Sequence, residues 1–292
     1  MLLGKPGPVM MAVVTLIGRG NLLVEDVPGV GKTTLAAALA RATDCDFSRI
    51  QFTSDLMPSD IIGVNIFNQE HRDFEFRPGP VFTNILLADE INRTNPKTQS
   101  ALLEAMNEHR VTVEHRTFTL AEPFMVIATQ NPAESYGTFP LPESQLDRFM
   151  AHLSIGYPSA EDEKRAVLSG SSFGAIERIR PVVSKAEILD MQREAGQLRV
   201  EQSVIDYLMR IVAETRRHAE IRIGVSTRGT QFFLAASRSH AFCAGRDFVT
   251  PDDVRAVASA VLGHRILLKS RRTLQEGGLL IRDIVAAVPV PV

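Results

Sequence analysis

The stretch Asn21-Leu22-Leu23-Val24-Glu25-Asp26-Val27-Pro28-Gly29-Val30-Gly31-Lys32-Thr33-Thr34 constrains this chain more than any other, because an apolar run, a glycine-rich turn and an alanine-rich run follow one another directly. That order predicts strand, loop and helix. Gly29 and Gly31 permit a tight path in which backbone N–H groups turn toward an anion, and Lys32 brings a charge able to reach β- and γ-phosphates. Thr33 adds a hydroxyl of the kind that holds Mg²⁺, and the helix from Thr34 to Arg41 aims its positive end at the same place. The candidate phosphate site therefore runs from Asp26 to Thr34. One position departs from the pattern G-x-x-x-x-G-K-[ST]: Asp26 stands where the first glycine is expected.

Ile85-Leu86-Leu87-Ala88-Asp89-Glu90 is a continuous apolar run ending in two acids, the form of a buried parallel strand that delivers carboxylates at its C-terminal edge. Asp89 is the candidate for holding Mg²⁺ through water, and Glu90 the candidate base for an attacking water. Phe124 to Ala128 predicts a second buried strand presenting Thr129-Gln130-Asn131 at the same edge. Asn131 is a candidate for holding the attacking water or the γ-phosphate, although asparagine before Pro132 is also an ordinary turn residue. After a loop rich in glycine and proline, Leu141-Pro142-Glu143-Ser144-Gln145-Leu146-Asp147-Arg148-Phe149 carries an arginine with two readings. Arg148 either pairs locally, with Asp147 or another acid, or acts as an arginine finger on a transferring phosphoryl group, supplied by a neighbouring subunit.

Around these strands the pattern is α/β with interruptions. Residues 8–18 predict a buried helix before the first strand, and Phe47 to Phe52 a short strand. Val64 to Phe67 and Asp73 to Phe76 alternate across a polar turn, as do Val111 to Val113 and Thr117 to Leu120, which predicts two inserted β-hairpins. Asn95-Pro96 caps a helix whose Leu102, Leu103 and Met106 are core. Gly156-Tyr157-Pro158 then ends the strand-rich region, which divides the chain into a nucleotide-binding core, 1–155, and a smaller all-α domain, 156–292. In the latter, Val204, Leu208, Ile211 and Val212 form one apolar helix face, and Val254, Val257, Val261 and Leu262 another. Ser226-Thr227-Arg228 opens a further helix, where the helix dipole disfavours a cation and so makes an anionic partner for Arg228 more plausible.

Composition narrows the function classes. The 292 residues are 45% hydrophobic and 23% charged, enough for two medium cores, and the net charge of −2 argues against a general nucleic-acid binder. Cys45 and Cys243 form no metal-ligand spacing, and read as reduced thiols of a cytoplasmic protein. The apolar run from Val9 to Ile17 is well short of the about 20 residues needed to cross a membrane, and it has neither basic leader nor cleavage site. Only a short stretch precedes the phosphate loop, so a preceding element is expected to be absent or short. His109 and His115 suggest solvated loop positions, with no acid or cysteine to complete a ligand set.

The motifs together resemble the MoxR branch of AAA+ ATPases. The resemblance rests on Glu25 to Thr33, Ala88-Asp89-Glu90-Ile91-Asn92-Arg93, Lys97 to Met106, Ala128-Thr129-Gln130-Asn131-Pro132 and Leu141 to Phe149, and continues more weakly to about Val288. It implies ATP and Mg²⁺ as ligands, an AAA+ parallel sheet with helices on both faces, and a helical lid. Asn131 is then the first sensor, Arg148 acts in trans, and Arg228 reads the γ-phosphate as second sensor. It implies further a hexamer that uses ATP to remodel partner proteins, often ones bearing a von Willebrand factor A domain, with the two hairpins facing the ring's axis or upper surface. Gly4-Lys5-Pro6 resembles the end of the segment that packs near adenine, and the helix that normally precedes it is not expected here. A nucleotide-gated assembly switch, a nucleic-acid translocase and a chelatase motor subunit are the alternative readings. Arg110 and Arg116 give the second hairpin a basic cast, but Phe118 is its sole aromatic.

Overall fold

The computed structural model describes residues 2–132, 137–168, 172–270 and 274–291. The strands in chain order are β1 (Leu22–Glu25), β2 (Phe47–Gln51), β3 (Gly63–Asn68), β4 (Asp73–Pro78), β5 (Ile85–Asp89), β6 (Arg110–Val113), β7 (Arg116–Thr119), β8 (Met125–Gln130), β9 (Ala151–Leu153), β10 (Ile221–Ile223) and β11 (Leu267–Leu268). The helices are α1 (Pro6–Ile17), α2 (Lys32–Ala42), α3 (Pro58–Ile62), α4 (Pro96–Glu108), α5 (Glu143–Leu146), α6 (Ala160–Leu168), α7 (Ser172–Glu177), α8 (Lys185–Gln197), α9 (Gln202–Arg217), α10 (Thr227–Cys243), α11 (Pro251–Leu262) and α12 (Leu274–Ala287).

Five strands form a parallel sheet in the order β2-β5-β8-β1-β9. β5 and β8 are buried along their whole length, and their sequences are apolar runs up to the polar residues at their C-terminal ends rather than alternating ones. They pair from Ile85↔Met125 to Ala88↔Ala128, and β2 lies on the other side of β5 with Gln51 opposite Asp89. The ends of three strands thus bring Gln51, Asp89 and Thr129 to one edge.

Contacts gather the chain into two compact units, each assembled from three stretches. The first comprises Met1–Pro6, Leu23–Leu141 and Ser154–Glu187, and the second Gly7–Leu22, Pro142–Leu153 and Ile188–Val292. Within the first unit both inserted hairpins are present, β3 with β4 and β6 with β7. Gly63 starts β3 at φ +98°, and a Cβ there would lie 2.3 Å from the Arg77 carbonyl, so only glycine closes this hairpin. Phe76 stacks on Phe118 at 4.0 Å and meets Phe82 edge-on at 5.5 Å, which joins one hairpin to the other. The loop before Leu141 includes residues 133–136, which lie outside the described residues.

In the second unit the two predicted helix faces are buried around Tyr207, Phe233 and Ile281. α11 starts with a capping box between Thr250 and Asp253, with Pro251 in the first turn. Besides its helices and β9 this unit carries a short antiparallel ribbon, β10 with β11, in which Ile221 pairs with Leu268. The helical domain expected from the sequence is present, and the ribbon is an addition to it whose strands are too short to show a period of two in the sequence.

Candidate nucleotide site

Gly29 and Gly31 both adopt left-handed backbone, at φ +85° and +100°, and Gly31 caps the start of α2. The glycines are thus required by the path of the loop. Lys32 Nζ donates to the carbonyl of Asp26 at 2.6 Å and approaches the carbonyl of Gln130, at the end of β8, at 3.4 Å. The loop is therefore tied to the end of β8, the strand that pairs with the acid-bearing β5.

One hydroxyl touches both Asp89 and Glu90. Thr129 Oγ1 donates to Asp89 Oδ1 at 2.6 Å and accepts the Glu90 backbone N–H at 2.9 Å. Asp89 is buried, and its Oδ2 also accepts from Arg49 Nη2 at 2.7 Å. Glu90 follows in the left-handed region, at φ +58° and ψ +48°, which turns its side chain out of the strand register. Its Oε2 accepts from Gln51 Nε2 at 2.7 Å and from Arg93 Nε at 3.1 Å. Asn131 is buried, next to Gln130 at the end of β8. The first unit thus gathers the loop, Asp89, Glu90 and Asn131.

A cleft of about 440 Å³ opens beside the loop, of a size to accept a small organic ligand. Pro28, Gly29 and Gly31 line it together with Leu2, Tyr157 and Pro158, among others. Lys5 Nζ donates to the Tyr157 carbonyl at 2.7 Å. The cleft is mixed in character, apolar at Leu2, Leu3 and Val167 and acidic at Asp162 and Glu163. Among the described residues no group of three or more His, Cys, Asp or Glu is placed to bind a metal, and no helix is long and apolar enough to cross a membrane.

Arg148 and Arg228 lie in the second unit. Ser226 caps α10 by accepting from Gly229 N–H, and its hydroxyl donates to both carboxylate oxygens of Asp147, at 2.9 and 3.0 Å. The turn that carries Arg148 is therefore tied to the start of the helix that carries Arg228. Asp147 is also held by Arg265, whose Nε donates to Oδ1 at 3.0 Å. Burial lowers the Arg265 pKa to about 10, against the pull of Asp147 and with a smaller push from Arg228. Asp147 thus spends its charge on Arg265.

Residues 21–151 match the AAA family, ATPases associated with various cellular activities, and residues 213–286 match the AAA lid domain. The chain is 46% identical to the YeaC protein of Bacillus subtilis over its whole length and 92% of that protein. It is 41% identical to Chaperone MoxR1 of Mycobacterium tuberculosis, over 91% of this chain and 73% of the relative. The chain belongs to the MoxR family of AAA+ ATPases. A crystal structure from Cytophaga hutchinsonii, 38% identical, superposes over 99% of this chain and 91% of its own with a TM-score of 0.89. Set in this family, the loop, the acid pair and the sheet edge are parts of one ATPase domain. Sequence reasoning missed Gln51, Arg49, Thr129 as a bridge, Tyr157 and Arg265. Thr129 stands in the Ala128–Pro132 motif but its bridge does not follow from it, and the others have no motif, so that only strand register or long-range packing gives them a role.

Proposed function

We propose that this AAA+ chain hydrolyses ATP in a Mg²⁺-dependent reaction and uses it to remodel, activate or assemble a partner protein, working in the cytoplasm as a hexameric ring. The observation that supports the catalytic half best is the Thr129 hydroxyl, which fixes Asp89 and the backbone of Glu90 together, one residue before the carbonyl that Lys32 approaches. Phosphate loop and acids are then parts of one rigid edge. Thr33 and Asp89 supply hydroxyl and carboxylate oxygens, donors that suit a hard cation, and Asp89 would hold Mg²⁺ through water. Bound there, Mg²⁺ offsets charge on the phosphate oxygens.

Lys32 exchanges the Asp26 carbonyl for the β- and γ-phosphates, and Glu90 takes the proton of a water that Asn131 orients. Arg148 comes from a neighbouring subunit to meet the charge that develops on the γ-phosphate, and Arg228 reads the same group from the lid. In this reading residues 1–155 serve nucleotide binding and 156–292 form the lid. The relative named as a chaperone favours a protein partner, such as one with a von Willebrand factor A domain. A nucleic-acid partner is disfavoured because Phe118 is spent on Phe76 and Phe82, leaving the basic second hairpin without a free stacking ring.

Turnover per subunit, measured with Mg²⁺ and ATP as protein concentration rises, tests the proposal. Turnover should climb with concentration, and Glu90→Gln should lower it by about 10²–10⁴. Arg148→Ala should lower it by about 10³. Tight ATP binding with flat, negligible turnover would overturn the hydrolysing ring in favour of a switch.

A further inference from the structure

Asp26 makes contacts that the glycine expected at its position cannot make. Its carboxylate is buried at 7% exposure, and Oδ2 accepts hydrogen bonds from Ser154 Oγ at 2.9 Å and from the backbone N–H groups of Ile155 and Gly156, each at 2.7 Å. Oδ1 accepts from the Val27 N–H at 2.9 Å, at the entrance to the phosphate loop. The backbone carbonyl of the same residue accepts Lys32 Nζ. One side chain thus ties the base of the loop to the segment Ser154–Gly156.

That segment leads into the cleft. Gly156, Tyr157 and Pro158 line the same 440 Å³ space as Pro28, Gly29 and Gly31. Gly156 turns there in the left-handed region, at φ +67°, so the direction of the wall is set where Asp26 grips its N–H. A carboxylate that accepts from two successive N–H groups is a short, charge-assisted contact, stronger than a neutral hydrogen bond. Lys5 also braces the wall, through the Tyr157 carbonyl.

We infer that Asp26 is a positioning residue for the nucleoside half of the ligand: it sets the Gly156–Pro158 wall against the phosphate loop, so that base and phosphates are bound as one unit. The inference rests on the nucleotide-binding reading above. Phosphate alone needs only the loop, its glycines and Lys32. Loss of the Oδ2 contacts leaves those parts in place and releases the wall, so the nucleoside adds less to affinity while the anion is held as before.

The experiment compares Mg²⁺-supported binding of ATP and of inorganic tripolyphosphate to the full chain and to Asp26→Asn, Asp26→Gly and Ser154→Ala. Both Asp26 variants should weaken ATP about tenfold and Ser154→Ala about threefold, while tripolyphosphate changes by less than about twofold. A merely structural role would weaken both ligands alike, so equal losses, or no loss for either ligand, overturn the inference. Ser154→Ala removes one hydrogen bond from outside the loop, and its ratio of the two affinities decides the matter should the Asp26 variants not fold. A wild-type chain that binds ATP no more tightly than tripolyphosphate also overturns the inference and leaves phosphate binding intact. A wild-type chain that binds neither would overturn the nucleotide reading itself.

Discussion

The side-chain amide of Gln51 donates to Glu90 Oε2 at 2.7 Å, across the edge of the sheet and onto the oxygen that Arg93 Nε approaches at 3.1 Å. Glu90 is thereby committed to two donors, and both compete with any water that it would deprotonate. A water has to displace one of these donors before that oxygen can take its proton. Gln51→Ala should therefore raise basal ATP turnover by about three- to tenfold, the equivalent of about one hydrogen bond. Steady-state turnover beside Glu90→Gln checks this, and a fall to the Glu90→Gln level would mean that Gln51 aims the base instead of restraining it.

The parts of the site that were legible in the sequence are those where chemistry demands a residue type at a fixed local spacing. Gly29, Gly31 and Lys32 need only their neighbours to make a loop, and Asp89 and Glu90 need only the end of an apolar strand. Thr129 was visible as a strand-end residue, but its bridge to Asp89 depends on the parallel register of β5 and β8, which no local pattern encodes. Asp26 looked like a lapse in the motif because its partners, Ser154 to Gly156, are far away along the chain. The hairpins and lid helices were read from periodicity, whereas the β10 and β11 ribbon is too short to have any.

His264 gives the second unit a predictable response to acid. It is buried, with Nε2 3.1 Å from the Phe149 carbonyl, the Arg265 guanidinium beside it and the His152 ring 5.9 Å away. Burial, then Arg265, then His152 push its pKa well below the ordinary 6.5, so it stays neutral in the folded chain. Once unfolded, the same ring binds a proton below pH 6.5. The folded pKa is the lower one, so the stabilisation is complete above about pH 6.5 and is lost as pH falls toward the folded value. Urea midpoints should drop between pH 7 and 5, and His264→Gln should flatten that slope. An unchanged slope in the variant would assign the acid sensitivity to other groups.

Arg265 should matter to catalysis without touching nucleotide. Its side chain is 1% exposed, and it spends its donors on the turn that bears Arg148: Nε on Asp147 Oδ1 at 3.0 Å, Nη1 on the Met150 carbonyl at 3.0 Å, and Nη2 on the Phe149 carbonyl. The guanidinium also lies 5.1 Å from the Phe232 ring centroid. Arg265→Met keeps most of the volume but leaves Asp147 with Ser226 as its described hydrogen-bond donor and withdraws the guanidinium from the Met150 and Phe149 carbonyls, the latter still approached by His264 Nε2. Breaking a buried charge pair from one side costs about 3–5 kcal/mol, so urea denaturation should show a loss of about that size. The turn would then no longer hold Arg148 in one place, and turnover should fall toward that of Arg148→Ala even under conditions where the variant remains folded. The double variant Arg265→Met, Arg148→Ala tests the link: coupled residues give a double loss no larger than the Arg148→Ala loss alone. Losses that simply multiply would separate the buried arginine from Arg148 and leave Arg265 a purely structural role.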